Sequence, residues 1–493
     1  MIDWDESTFI LVGQSLVDGH LPYVELWDNK PPGAFVPFAL TILLAGRHIL
    51  AIRLLGAACV LASAYLTFLI GRRLWGSRAG VLAAVMSVVF ASLAPGGQPT
   101  MTETLAMVPV MAALAILIMC RHGAGTGFAA GLLLSLATLV RTNLVCLLVV
   151  GGIDLLIRSA ARDRARVARL VASYALGALL PPVLVSAPYL VTGTWRILVE
   201  SAIVAPLYYA DLERGPGAAL GALLATLAQY HLAIFIGFLG GTVLTTRHWT
   251  TQVGPQRGQT LLLYACVAAV TGSMIFGGPF YRHYVIQIVV FLALISGHFY
   301  STLLRHHHVR PVIVLLAVGL AFPAWVLAAA YWDLGTKTLR GDQDVVYQLA
   351  DYLRAENVRR EPIYLLDYHL VYWLTETKPL SRVVTHPSNI VRESVLEVAA
   401  GPGATRESEM TRLLEMHPLF IVKKANTWYV DAHPETKAIL EQALGRDYEL
   451  VRNIRGALVY KRKADRLSEA RPAPPLEVRA PGAPPRFARG QPR

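Results

Sequence analysis

Long apolar runs separated by short charged loops fill the first two-thirds of the chain. The runs lie at 50–71, 78–95, 103–120, 126–140, 142–157, 170–190, 218–245, 260–276, 284–304 and 311–331. Most have the length a helix needs to cross roughly 30 Å of hydrocarbon, so the pattern predicts about ten crossings. The pair at 126–157 is short and interrupted by Arg141 and Asn143. It fits either two tilted crossings or a half-membrane hairpin, since irregular backbone is tolerated where protein covers it. The apolar segment 32–46 sits between an outside loop and a helix that must start outside. Parity makes it an interfacial helix, opened by Pro31 and Pro32 where a missing amide hydrogen costs little.

After Trp332 the pattern becomes that of a soluble domain. Residues 342–356 and 435–444 have helical periodicity, and 362–366, 419–423 and 458–461 read as strands. The expected fold class is therefore a multi-spanning α-helical membrane protein with a C-terminal soluble α/β domain. The expected divisions are a first outside loop with interfacial helices (1–49), a transmembrane domain (50–332), an α/β domain (333–465) and a tail (466–493). Rich in Pro, Ala, Gly and Arg, the tail cannot bury enough apolar surface to fold and is expected to be disordered.

Composition supports the membrane reading: 54% of residues are hydrophobic and 16% charged, far from the roughly one-quarter charged of soluble domains. The net charge of +12 is carried in good part by arginines in short loops: 72, 73 and 78; 121; 158, 162, 164, 166 and 169; 247 and 257; 305 and 310. Such loops stay on the cytoplasmic side. That puts 1–50, 95–102, 191–217, 276–282 and everything after Trp332 outside. A nucleic-acid partner would need one coherent basic face, which membrane-length separations exclude. Cys59, Cys120, Cys146 and Cys266 lie in apolar runs without metal-ligand spacing, and read as small buried hydrophobes.

The chemistry concentrates at the amino end. Asp3, Asp5, Glu6, Asp18, Glu25, Asp28 and Lys30 are interleaved with Trp4, Tyr23 and Trp27 just before the membrane segments. Carboxylates against an apolar wall gain affinity for a proton or a divalent cation, which suits general-base work. The competing reading is a solvated acidic loop with ordinary interfacial aromatics. Farther on, Asp367, His369, Tyr372 and Trp373 form a polar-aromatic group after a predicted strand, read as packing rather than acceptor contacts.

These residues carry a resemblance. Asp5-Glu6, Asp18-Gly19-His20-Leu21-Pro22-Tyr23 and Trp27-Asp28-Asn29-Lys30-Pro31-Pro32-Gly33 are similar to the first-loop signature of the membrane GT-C glycosyltransferase superfamily. The likeness is to its protein O-mannosyltransferase and aminoarabinose transferase-like members, of the glycosyltransferase family 39 type. It continues through Arg53-Leu54-Leu55, the stretch Gly71 to Gly76, and Thr100-Met101-Thr102-Glu103, and returns at Phe280 to Tyr284.

The resemblance implies a multi-pass enzyme of the cell inner (plasma) membrane, with its active site and C-terminal domain extracytoplasmic. Its donor would be a sugar on a polyprenyl phosphate, and its acceptor a lipid, glycan or protein. The catalytic carboxylate falls on Asp5 or Glu6, with Asp5 preferred. Lys30 falls on the donor phosphate; on chemical grounds Arg282 and His283, cations in another outside loop, are further phosphate candidates if the fold brings them across. Tyr23, Asp28 and Glu103 fall on substrate contacts. A divalent metal is a candidate cofactor, with Asp5 and Glu103 as its ligands. The family also carries a transmembrane helix before the Asp-Glu pair, which this sequence does not include, so either the start lies upstream or the chain is shortened. Rival classes are a transporter or lipid flippase, which would place charges at mid-membrane, and a non-catalytic envelope assembly protein. Adjacent carboxylates make a poor acid–base pair for glycoside hydrolysis, so transfer fits better.

Overall fold

The computed structural model describes residues 3–159, 163–210, 215–247, 255–339 and 343–463. The tail expected at 466–493 lies outside them. Two compact units result: Lys30–Trp195 with Pro206–Asp342, and Met1–Asn29 with Arg196–Ala205 and Gln343–Arg493.

Along the chain, α1 (Trp4–Val17) is followed by α2 (Val36–Ala45), α3 (Ile49–Trp75), α4 (Ser77–Leu93), α5 (Thr102–Met119), α6 (Ala124–Val140), α7 (Val145–Ser159) and α8 (Arg164–Val191). Next come α9 (Trp195–Val199), a π-helical turn (Glu200–Val204), α10 (Ala205–Ala210), α11 (Pro216–Tyr230) and α12 (Leu232–Arg247). The last helices of the membrane unit are α13 (Pro255–Phe276), α14 (Ile286–Arg305) and α15 (Val309–Leu339).

Among the described residues, seven helical stretches are long and apolar enough to cross a membrane: Ile49–Trp75, Thr102–Met119, Thr142–Ser159, Arg164–Val191, Gln256–Phe276, Arg282–Arg305 and Val309–Asp333. The protein is multi-pass. The run at 218–245, expected as one span, is instead α11 and α12 meeting at a bend of 107°. His231 takes φ −132° and ψ 25° there, outside the helical region, while the hydropathy runs on unbroken. α4 and α6, with 17 residues each, complete the ten predicted runs as helices.

α6 starts next to the end of α5, and Arg141 at its far end bonds Glu103 at the start of α5. It therefore runs the whole length of α5 and crosses as far as α5 does, which favours two crossings over a half-membrane hairpin at 126–157. α8 lies backbone to backbone on α6: a Cβ on Gly177 would fall 2.1 Å from the Phe128 carbonyl oxygen, and one on Gly131 2.2 Å from that of Tyr174. Pro31 and Pro32 open a short 3-10 turn before α2, which is too short to span and leaves Leu43 and Leu44 exposed. Cys266 is buried as expected, but Cys120 is exposed at the end of α5 and the other two cysteines are half-buried.

The second unit holds a four-stranded sheet. In chain order its elements are α16 (Val345–Glu356), β1 (Ile363–Leu365), α17 (Leu370–Thr375), α18 (Glu393–Ala399), α19 (Arg406–Glu415), β2 (Phe420–Lys424), α20 (Trp428–Asp431), α21 (Pro434–Asp447), β3 (Tyr448–Ile454) and β4 (Ala457–Arg462). The strand order is β1-β2-β4-β3, with β1 parallel to β2 and the other pairs antiparallel. The three predicted strands are β1, β2 and β4. β3 escapes the pattern because it is an edge strand with a register shift between Leu450 and Arg452 and mostly uncovered side chains.

α1 is part of this unit's core. Trp4 packs against a cluster that includes Tyr364, Met410, Ile421, Tyr429 and Leu440. Trp373 Nε1 donates to Gln14 Oε1 at 3.1 Å, and Thr8 Oγ1 donates to the Thr385 carbonyl at 2.9 Å. Asp367, His369, Tyr372 and Trp373 are all buried, as the packing reading expects.

Candidate active site

In the unit built on the sheet, Asp3 caps α1 by accepting from the Asp5 amide at 2.9 Å. This places Asp5 and Glu6 in the first helical turn, where the exposed amides favour negative charge. Neighbours on a helix diverge by about 100°. Here Glu6 is wholly buried while the Asp5 side chain keeps 24% of its exposure. Asp5 is thus the more accessible of the pair.

Asp5 Oδ1 lies 3.2 Å from His386 Nε2. The other ring nitrogen, Nδ1, receives the Ser388 amide at 3.3 Å and lies 3.0 Å from Ser388 Oγ. Trp4 meets the His386 ring edge-on at 5.9 Å and lies parallel to the exposed Trp428 at 6.3 Å.

The remainder of the first-loop motif is held by the segment around Arg382. The Trp27 amide donates to the Arg382 carbonyl at 2.8 Å, Thr385 Oγ1 donates to the Trp27 carbonyl, and Trp27 Nε1 reaches Ser201 Oγ at 2.9 Å. Tyr23 is enclosed and takes φ +70°, a left-handed conformation uncommon for a tyrosine. Asp28 is buried. Glu25 accepts from Lys378 at 2.5 Å and Ser15 at 2.6 Å. Burial alone would raise its pKa, but Lys378, Ser15 and His20 outweigh it and the net shift is downward.

In the membrane unit, Glu103 stands in the first turn of α5 and is fully buried. Arg141 bonds its Oε1, Thr102 Oγ1 lies 3.2 Å from its Oε2, and His283 Nε2 lies 3.5 Å from Oε1. The Arg141 guanidinium also covers the Tyr284 ring at 4.7 Å and donates to Asn143 at 3.4 Å. Asn143 in turn reaches Gln287 at 2.9 Å and Ser273 at 3.1 Å. Arg282 points outward and is exposed. Lys30, half-buried, precedes the 3-10 turn at Pro32–Ala34. A Cβ on Gly33 would lie 2.7 Å from the Leu139 carbonyl oxygen, so glycine lets the Lys-Pro-Pro-Gly backbone lie against the end of α6, two residues before Arg141.

Residues 29–191 match the family of dolichyl-phosphate-mannose-protein mannosyltransferases. The apo aminoarabinose transferase ArnT from Cupriavidus metallidurans superposes with a TM-score of 0.53 at 14% identity, over 95% of this chain and 94% of that one. The chain shares the fold of this membrane enzyme. A second ArnT structure, bound to undecaprenyl phosphate, gives 0.51 at 15% identity with the same coverage. The oligosaccharyltransferase AglB from Archaeoglobus fulgidus, in complex with an inhibitory peptide and a dolichol-phosphate, gives 0.53 at 10% identity, over 93% of this chain and 70% of that one. No curated protein matches by sequence.

Asp5, Glu6, Tyr23 and Asp28 lie in the sheet-bearing unit, and Lys30, Glu103, Arg282 and His283 in the membrane unit. Two residues went unseen in the sequence: His386, which gave no motif, and Arg141, visible only as a break in an apolar stretch. A lone arginine inside a membrane segment is itself a signal of function. Among the described residues no three His, Cys, Asp or Glu side chains are arranged to hold a metal ion. The Glu103 oxygens already face Arg141, Thr102 and His283, which is a poor ligand set for a cation.

Proposed function

We propose that the chain transfers a sugar from a polyprenyl-phosphate-linked donor to an extracytoplasmic lipid, glycan or protein acceptor at the inner (plasma) membrane. The observation that carries this reading is Asp5: an accessible carboxylate at a helix N-terminus, beside a histidine, in a chain with the GT-C fold. The lipid phosphates bound by ArnT and AglB support the donor class.

In the proposed reaction, an acceptor hydroxyl attacks the sugar C1 and loses its proton to Asp5. The bond from C1 to the phosphate oxygen breaks, and the polyprenyl phosphate leaves with the electron pair. Lys30 is assigned to the phosphate, where negative charge develops, and Arg282 and His283 are further cationic candidates there. Tyr23, Asp28 and Glu103 are assigned to substrate contacts and their support.

The test is turnover in proteoliposomes with synthetic polyprenyl-phosphate sugars. Asp5→Asn should lower turnover by at least about a hundredfold with donor binding intact, as expected for a positioned general base, and Glu6→Gln is its control. Lys30→Met should instead weaken donor binding, because it deletes a charge-assisted contact. Wild-type turnover in Asp5→Asn would end the mechanism.

A further inference from the structure

We infer that His386 is a positioning residue for Asp5, locked in the Nε2–H tautomer by the backbone of Ser388. The inference rests on the reading of Asp5 as the reacting carboxylate.

The tautomer follows from hydrogen-bond bookkeeping. A backbone N–H can only donate, and the Ser388 amide lies 3.3 Å from His386 Nδ1. That nitrogen therefore presents its lone pair, and the proton of the neutral ring sits on Nε2. Nε2 is the atom 3.2 Å from Asp5 Oδ1, so in the proposed arrangement this is the N–H offered to the carboxylate. A carboxylate accepts about four hydrogen bonds, so this contact fixes the Asp5 rotamer while taking only one acceptor position. The ring cannot easily turn. Its side chain is 13% exposed, Trp4 packs edge-on against it, and His386 caps the 3-10 turn Pro387–Val391. Thr8 and Thr385 tie α1 to the same segment through their 2.9 Å bond. The base and the group that aims it thus come from segments far apart in the chain and are joined at three places.

The cap and the Asp5 contact can be separated. In His386→Asn, the amide oxygen still accepts from Ser388, since Asn is a strong capping residue, but the shorter side chain cannot reach Asp5. In His386→Gln, the amide nitrogen takes the place of Nε2 and restores the donor. With undecaprenyl-phosphate-linked mannose, glucose and aminoarabinose offered in turn to the full chain in proteoliposomes, His386→Asn should lower kcat by about ten- to a hundredfold. KM for the donor should change by less than about twofold, with thermal stability kept. His386→Gln should recover most of the loss, and adding His386→Asn to Asp5→Asn should lower turnover no further.

A readout without substrate is the ¹⁵N spectrum of the histidine-labelled chain, with the His386 signals identified by their loss in His386→Asn. It should show an unprotonated Nδ1 and a protonated Nε2 whose shift moves in Asp5→Asn. Wild-type kcat in His386→Asn with an inactive Asp5→Asn overturns this inference and leaves the function standing. An active Asp5→Asn overturns both. A ring protonated on Nδ1, or one indifferent to Asp5→Asn, overturns the inference whichever sugar is used.

Discussion

His369 is buried in the sheet-bearing unit beside a small cavity, and among the described residues neither of its ring nitrogens has a hydrogen-bond partner. Burial, with a smaller push from His386, lowers its pKa from 6.5 to about 3. The unfolded chain therefore takes up a proton that the folded one refuses, and stability falls as pH drops from about 6.5 towards 3. The slope from this one residue is at most about 1.4 kcal/mol per pH unit. His369→Phe should flatten that part of the curve without loss at pH 7, as urea midpoints measured across pH would reveal; an unchanged slope would refute it. Glu25 acts at lower pH. Its folded pKa lies below the usual 4.5, so its contribution is present above that value and is lost as pH falls through the folded pKa. Glu25→Gln should therefore lower stability at neutral pH and bring the two proteins together in acid. Of the residues at the candidate site, Asp5, Glu6, Lys30 and Glu103 were readable from a motif. Their partners were not, because a contact such as Asp5 to His386 has no periodicity and no fixed spacing.

Among the elements, α6 and α8 depend on glycine. With Cβ distances of 2.1 Å at Gly177 and 2.2 Å at Gly131, a side chain there meets backbone, which cannot move aside as a rotamer can. Gly177→Val should cost about 1–3 kcal/mol, seen as a lower melting temperature in detergent, whereas Gly221→Ala, with nothing within 4 Å of its Cβ among the described residues, should not. The Glu103–Arg141 pair that joins α5 to the end of α6 behaves differently. Arg141→Met leaves a buried carboxylate without its main counter-charge, at about 3–5 kcal/mol, while Arg141→Met with Glu103→Leu should regain most of that. A double-mutant cycle on melting temperatures measures the coupling, and simple additivity would contradict it. The periodicity of the chain located the long helices of the membrane unit, but not α1, which carries Asp5 and Glu6. It missed the break at His231, because a change of direction leaves mean hydropathy untouched, and it missed β3, whose solvent-facing edge has no alternating apolar face.

For the whole molecule, the arginine-rich loops predict a topology with a chemical test. With the native cysteines replaced, Glu435→Cys should react with an impermeant maleimide in intact cells, and Gly123→Cys only after lysis. The reverse pattern would put the proposed site on the wrong side. The sequence by itself determined the membrane architecture, the small α/β domain and the acidic first loop, because length, hydropathy and loop charge are local properties that survive without a fold. Only the tertiary structure decided that the first 29 residues join the sheet-bearing unit. It also decided that Asp5 rather than Glu6 stays accessible, and that His386 and Arg141 meet the two carboxylates. Those outcomes depend on packing between segments far apart in the chain, where burial and hydrogen bonding follow from which surfaces meet rather than from any local pattern.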